Sequence, residues 1–269
     1  MSAGTWGGLA LGVGESAVYR LGELSLRLRR RHEEVWMHAG HEVSTPIETA
    51  SVSIGQSDEA AGDVSSEAWI RWAVPEGEDL ELQPVLPDRP VVVSPEQPFF
   101  LPPEGRARVF VRIPLFVKVQ TSGEATEAST LEEFPSVVLS DTWWGSFTEG
   151  DLGYWLETRA RREITPELYS PHLAVCPFVL VNRSDQPLPV ERFAVRVAYL
   201  TLFGRGQAVW TDEVQVRYSG GPEGSEIHYT GKVPEDAGDV APLATSREPA
   251  PRGFNARTFG RLKARMAAL

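Results

Sequence analysis

Apolar and polar residues alternate along several short stretches of the chain, with the period of two that is typical of a half-buried β-strand. In Leu24–Arg30 the leucines take one face, and Arg27 and Arg29 take the other. Residues 68–74 repeat the pattern, and in residues 106–113 three arginines and Phe110 oppose a row of Ala, Val and Ile. Prolines and glycines bound many of these stretches, as turns require. The pattern predicts an all-β protein.

Two polar, acidic stretches interrupt the alternation. Residues 56–67 are expected to form a loop, and residues 121–133, which carry four glutamates, a linker or long loop. We therefore predict two antiparallel β-sandwich domains, of immunoglobulin-like or jelly-roll style. The predicted domains cover residues 1–122 and 131–250.

The last segment, residues 252–269, has a different pattern, because its apolar residues recur at helical spacing. It contains five basic residues and no acidic residue, which predicts a short basic amphipathic helix. Such a helix would either pack on the acidic body or dock its apolar face in a partner's groove or on a membrane surface, and a protein partner is the favoured alternative because one short helix binds a membrane weakly. The residues expected to carry docking are Phe254, Arg257, Phe259, Arg261, Leu262 and Arg265.

The formal net charge of −11 over 269 residues makes nucleic-acid binding a poor hypothesis, since such a surface repels phosphate backbones. No stretch approaches the roughly 20 apolar residues that span a bilayer, and we expect a cytoplasmic protein with no transmembrane segment. The one cysteine, Cys176, lies in an apolar run and is expected to be a small buried hydrophobic residue rather than a nucleophile.

The densest group of unusual residues is Ser140-Asp-Thr-Trp-Trp-Gly145, followed by Gly150-Asp-Leu-Gly-Tyr-Trp-Leu-Glu-Thr-Arg-Ala-Arg-Arg162. The two glycines flank a turn, and the return segment alternates, which predicts a β-hairpin. So many aromatic side chains would crowd one thin sandwich, so some are expected at a surface or an interface. The candidate interaction residues are Asp141, Trp143, Trp144, Tyr154, Trp155, Glu157, Arg159 and Arg161.

The run Asp141-Thr-Trp-Trp-Gly145, with Gly150-Asp-Leu, Tyr154 and Thr158-Arg-Ala-Arg-Arg162, resembles the signature of an uncharacterised prokaryotic family. This family is known as a domain of unknown function, number four-three-two. The resemblance is placed on about twenty residues and is expected to extend over most of the chain. It implies no activity, and it suggests that the hairpin is the common feature of the family.

Three interpretations of the hairpin remain open. The tryptophans fill a core or a domain interface, or they form a platform on which a carbohydrate or small ligand stacks. In the third interpretation, Asp141 and Glu157 form a hydrolytic pair across a cleft. The sequence contains no phosphate loop, nucleophile elbow, dinucleotide-binding pattern or Cys/His metal framework, so no cofactor and no metal are predicted. A non-enzymatic interaction or scaffold protein that acts through a protein partner is the favoured hypothesis.

Overall fold

The computed structural model describes residues 6–42, 47–56, 68–122, 128–146, 148–206, 208–221, 224–251, 254–256 and 258–260. Within these ranges the chain forms 24 β-strands and no α-helix, which confirms the predicted all-β class. Short 3-10 turns occur at Pro166–Leu168, Val197–Tyr199 and Glu235–Ala237. A search of these ranges for a helix with the length and apolar character needed to cross a membrane found none.

The first sandwich consists of two antiparallel sheets. One sheet has the order β1-β7-β11-β12, with β1 Gly7–Leu9, β7 Asp79–Val85, β11 Phe116–Ser122 and β12 Thr130–Pro135. The other has the order β5-β2-β3-β4-β6, with β2 Glu15–Gly22, β3 Leu24–Arg30, β4 Glu34–His41, β5 Ile47–Gln56 and β6 Ile70–Ala73.

The alternation in β3 sets the core of this sandwich. Leu24, Leu26 and Leu28 are fully buried, as the period of two predicts. In the register of the sheet, Leu26 lies opposite Tyr19 on β2, whose side chain is also buried. These residues pack against Leu82 and other apolar side chains of the facing sheet, so one hydrophobic cluster fills the space between the two layers.

The second sandwich has three sheets. The largest has the order β22-β18-β19-β15-β20-β21-β23, and β10 pairs with β15 beside it; the strands are β10 Arg106–Pro114, β15 Leu173–Asn182, β18 Leu202–Arg205, β19 Ala208–Thr211, β20 Val214–Tyr218, β21 Ser225–Tyr229, β22 Ala241–Ala244 and β23 Phe254–Ala256. The facing sheet has the order β13-β14-β8-β17-β24; its strands are β8 Val91–Val93, β13 Ser140–Gly145, β14 Gly150–Trp155, β17 Arg192–Val195 and β24 Phe259–Gly260. The third pairs β9 Phe99–Leu101 with β16 Leu188–Val190.

Buried residues of these sheets form a second, larger hydrophobic cluster. Phe178 of β15 stacks on Phe193 of β17, with ring centroids 4.7 Å apart, and so joins the two main layers. Ala107, Val109 and Val111 of β10 point into this cluster, whereas the arginines of β10 point away from it. The predicted alternation in residues 106–113 is therefore confirmed.

The two hydrophobic clusters divide the chain differently from the predicted ranges 1–122 and 131–250. β8, β9 and β10 precede residue 122 but pack in the second sandwich, and β12 follows it but packs in the first. The domain boundary stays a prediction. A division by hydrophobic core would assign β11 and β12 to the first unit.

The turn at Gly22, between β2 and β3 of the first sandwich, packs closely against Ser136 and His172. Gly22 has φ +60°, and a β-carbon there would lie 2.7 Å from Cγ of His172 and 2.9 Å from the carbonyl oxygen of Ser136. The next residue, Glu23, donates its backbone N–H to the same carbonyl at 2.9 Å. Only glycine combines this backbone conformation with so close an approach.

The predicted C-terminal helix is wrong where the structure describes the segment. Phe254–Ala256 forms β23, which pairs with β21, and Phe259–Gly260 forms β24, which pairs with β17. Between them, the carbonyl of Thr258 accepts a hydrogen bond from the backbone N–H of Ala194 at 2.9 Å. The physical reason is that two sheet edges offer backbone partners, and this pairing outweighs a helical spacing of apolar residues. Of the predicted docking residues, Arg257, Arg261, Leu262 and Arg265 lie outside the described residues.

Candidate functional site

The hairpin predicted around the tryptophans is present as β13 and β14, and we call these two strands the tryptophan hairpin. Asp141 lies opposite Tyr154, Trp143 opposite Leu152, and Trp144 opposite Asp151. Because neighbours along a strand point to opposite faces, Trp143 and Trp144 project on different sides of the sheet. The hairpin lies at one end of its sheet, with β13 outermost.

One face of the tryptophan hairpin is a small buried cluster. Trp144 is 3% exposed and packs with Val92, Ala194 and the half-buried Trp155. The guanidinium carbon of Arg192 lies 5.3 Å from the centroid of the Trp144 ring, in the range of a cation–π contact. Trp144 and Trp155 therefore act here as packing residues, which is one of the outcomes that the sequence left open.

The other face carries an exposed apolar pair near the turn. Trp143 is 50% exposed and Leu152, its direct cross-strand neighbour, is 44% exposed. The indole Nε1 of Trp143 donates to the carbonyl oxygen of Ser146 at 2.6 Å. Gly150 lies so close to the ring that a β-carbon there would lie 2.8 Å from Trp143 Nε1. These contacts fix the ring in place, so the tryptophan is an exposed and preorganised side chain.

Two charged residues of the turn between β7 and β8, Asp88 and Arg89, contact the same face of the tryptophan hairpin. The Tyr154 hydroxyl donates to Oδ1 of Asp88 at 2.8 Å, and Arg89 forms an ion pair with Asp141 at 3.1 Å. The guanidinium carbon of Arg89 also lies 5.3 Å from the centroid of the Tyr154 ring. Burial, and then the hydrogen bond to Asp88, raise the pKa of Tyr154 to about 12. The tyrosine therefore remains a hydrogen-bond donor at neutral pH.

The segment Thr158–Arg162, which follows the tryptophan hairpin, contacts both main sheets of the second sandwich. Ala160 forms a bridge with Pro95, and Arg161 forms a bridge with Phe110 of β10. The Thr158 hydroxyl donates to the carbonyl of Arg112 at 2.8 Å. Arg161 is half-buried, and Arg159, another predicted interaction residue, is exposed. This segment accordingly has a structural role that its sequence did not reveal.

The two carboxylates proposed for hydrolysis lie in different surroundings. Asp141 is exposed and paired with Arg89, whereas Glu157 lines a cavity of about 170 Å³ below the hairpin. Trp155 and His172 line the same cavity, and Asp141 does not. The structure thus does not bring Asp141 and Glu157 together across one cleft.

Groups that often carry catalysis are either buried or scattered in the described part of the chain. Cys176 is fully buried, as predicted, and burial raises the pKa of its thiol to about 12. Burial lowers the pKa of His172, with the nearby carboxylate of Glu23 acting in the opposite direction. Across the described ranges, no three His, Cys, Asp or Glu side chains come together to hold a metal ion.

Sequence reasoning missed the residues that shape this site from other strands. Asp88 and Arg89 lie in a charged turn between apolar stretches, and Arg192 begins β17. The only sequence signal was the Asp-Arg-Pro turn itself, which does not indicate a partner. Their role depends on the parallel pairing of β8 with β14, a contact between distant parts of the chain.

The fold and the site together define a class of protein with two β-sandwiches. The most unusual sequence motif of this protein forms a hairpin at a sheet edge, followed by a segment that bridges two sheets. The chain belongs to the family described as "Protein of unknown function (DUF432)", whose model matches residues 5–264. This confirms the resemblance inferred from the motif and extends it over nearly the whole chain. Searches of the curated proteins and of the solved structures found no match.

Proposed function

We propose that this chain is a non-enzymatic interaction protein that binds a protein partner at the exposed end of the tryptophan hairpin. The observation that carries the proposal is the exposed pair Trp143 and Leu152, 50% and 44% accessible, on the outermost strands of a sheet. Tryptophan is enriched among the few residues that dominate binding energy at protein interfaces. A ring fixed by the Ser146 carbonyl loses little conformational freedom on binding.

The edge position of β13 supports the same proposal. Within the described residues, β13 pairs only with β14, so its outer backbone groups can accept an extended segment of a partner. Asp141 supplies one charge on this strand, as is common where edge strands avoid unspecific pairing. A partner strand beside β13 would place apolar side chains against Trp143.

Ligand stacking on three tryptophans has less support. Trp144 is 3% exposed, and it projects from the face opposite to Trp143. A platform built from Trp143, Trp144 and Trp155 needs their rings accessible on one side of the hairpin. Of these three rings, that of Trp143 alone is exposed.

The proposal is tested by placing a photo-cross-linking amino acid at Glu149, an exposed residue in the turn of the tryptophan hairpin, in the native host, so that Trp143 stays in place. Val13, which is 53% exposed and lies before β2 in the first sandwich, serves as the control position. We expect one protein to be captured from position 149 and not from position 13. That protein, once purified, should bind wild type at least about tenfold more tightly than Trp143→Ala, measured by calorimetry. Equal capture from both positions, or equal affinities, would contradict the proposal.

A further inference from the structure

A second surface of the molecule, on the outer face of the largest sheet, combines positive charge with an apolar floor. Arg106 on β10, Val181 on β15 and Arg217 on β20 lie in one row across three neighbouring strands. Residues directly opposite each other share a face, and the alternate residues Ala107, Leu180 and Val216 point into the core. Arg106 and Arg217 therefore both project outwards, with a valine between them.

A third arginine enters at the end of this row. Arg183 follows β15, and its backbone N–H donates to the carbonyl of Tyr218 at 2.6 Å. The turn is anchored by Asn182, which is fully buried and donates to the carbonyls of Leu101 and Gln186 at 2.9 and 2.8 Å. The three arginines line one open cavity of about 330 Å³. A volume of this size is at the lower end of the range for small-ligand sites.

The charges around this cavity do not balance. Its lining contains three arginines and a single carboxylate, that of Glu104, which pairs with Arg183. Within the described part of the chain, the side chain of Arg217 has only a long contact with Glu226 at 3.8 Å, and the side chain of Arg106 has no hydrogen-bonding or ionic partner. An excess of positive charge in a protein with net charge −11 points to an anionic ligand.

Another arginine on β10 provides a comparison, because its charge is paired within the protein. Arg108, two residues along the same face of β10, contacts Glu213 at 2.8 Å and Asp236 at 2.6 Å. Its charge is satisfied by two carboxylates of the protein. Among the residues that the structure describes, the exposed side chain of Arg106 has no such carboxylate partner, so its charge is available to a ligand.

The turn that holds Glu104 is also unusual. Glu104 has φ +57° and is the one residue other than glycine with a positive φ in the described ranges. This left-handed conformation is unfavourable for a residue with a β-carbon. The strained turn places the Glu104 carboxylate against Arg183, which orients the third guanidinium.

We propose that this cavity binds a small organic phosphate, with the phosphoryl group held by the guanidinium groups of Arg106 and Arg217. Guanidinium groups match phosphoryl oxygens in pairs of parallel hydrogen bonds. The apolar part of the ligand rests on Val179 and Val181, which also line the cavity. A nucleic-acid strand does not fit this description, because the acidic body around a single small cavity repels a polyanion.

The test measures binding of phenyl phosphate, inorganic phosphate, benzyl alcohol and a phosphoserine peptide to the 269-residue chain by NMR titration. We expect saturable one-to-one binding of phenyl phosphate, weaker binding of inorganic phosphate by several-fold because it lacks an apolar part, and no binding of benzyl alcohol. Arg106→Gln should lower the affinity for phenyl phosphate by about tenfold or more. The charge-matched control Arg205→Gln, on β18 outside the cavity lining, should stay within about twofold of wild type.

Three outcomes would overturn the proposal. In the first, phenyl phosphate shows no saturable binding at concentrations up to about 10 mM. In the second, Arg106→Gln and Arg205→Gln weaken binding equally, which indicates unspecific attraction. In the third, a phosphoserine peptide binds more tightly than phenyl phosphate, which replaces the small molecule by a phosphoprotein. Because both arginines are exposed, both variants are expected to fold, as a far-UV circular dichroism spectrum will check.

Discussion

Trp143 and Trp144 are neighbours in the sequence, but the tryptophan hairpin holds them in opposite surroundings. Trp144 packs between Val92, Ala194 and Trp155, whereas Trp143 shares an exposed surface with Leu152. The difference arises because successive side chains of a strand point to opposite faces. One dipeptide thus contributes to stability on one side of the sheet and offers a contact surface on the other.

The largest expected effect is that of Trp144→Ala. Removing an indole that is 3% exposed leaves a cavity beside Val92 and removes the contact with Arg192. The free energy of unfolding should therefore fall by about 3–5 kcal/mol. Urea denaturation monitored by circular dichroism measures this loss. The matched control is Trp143→Ala, and equal losses for the two variants would contradict the difference between the faces.

The next largest effect on stability is expected for Gly153→Ala, because Gly153 of β14 lies against the residue that precedes β8. A β-carbon at Gly153 would lie 2.5 Å from the carbonyl oxygen of Pro90, which accepts the N–H of Tyr154 at 2.9 Å. Gly153→Ala should therefore destabilise the protein by about 1–3 kcal/mol, because backbone must move. In the control Gly8→Ala, a strand glycine with no atom within 4 Å of the added carbon, the midpoint of thermal unfolding should change little. A similar shift in both variants would show that strand propensity, and not the close contact, is responsible.

A smaller effect is expected for Tyr154→Phe, which removes the hydrogen bond to Asp88. The stability lost should be about 1 kcal/mol near neutral pH. Because folding raises the pKa of Tyr154 from 10.0 to about 12, its contribution is complete below pH 10 and is lost as the pH rises towards about 12. Denaturation of wild type and variant at about pH 8 and about pH 11 should therefore show a shrinking difference. A difference that stays constant would contradict this assignment.

The smallest effect on stability is expected for Trp143→Ala. The side chain is half exposed and loses one hydrogen bond, that to the Ser146 carbonyl, so the cost should be about 1 kcal/mol or less. The same variant should nevertheless lose most of its affinity for the protein partner. Loss of stability comparable to that of Trp144→Ala would assign Trp143 to the core rather than to an interaction surface.

Much of the fold could be predicted from local patterns. Alternation in β3 and β10 gave the strands, their faces and most of their buried residues, because a sheet with one buried face demands a period of two. The same reasoning placed the tryptophan hairpin and its turn. It did not reveal which aromatic face is buried, since both faces carry aromatic residues and the answer depends on what β8 and β17 place beneath them.

The C-terminal segment shows where local pattern fails. Its apolar spacing indicates a helix, but Phe254–Ala256 and Phe259–Gly260 complete the edges of two different sheets. The free edges of β21 and β17 are created by strands far away in the sequence. No window of residues around Phe259 contains that information.

The sequence by itself determined the β class, the orientation of the strands' faces, the hairpin and the membership of a family, because these follow from the order of neighbouring residues. Only the tertiary structure decided that Trp144 is buried and Trp143 exposed, and that, among the described residues, Arg108 is paired with carboxylates while Arg106 is not. The physical reason is that burial and charge pairing depend on which distant strands become neighbours. That choice minimises the free energy of the whole chain, and no short segment encodes it.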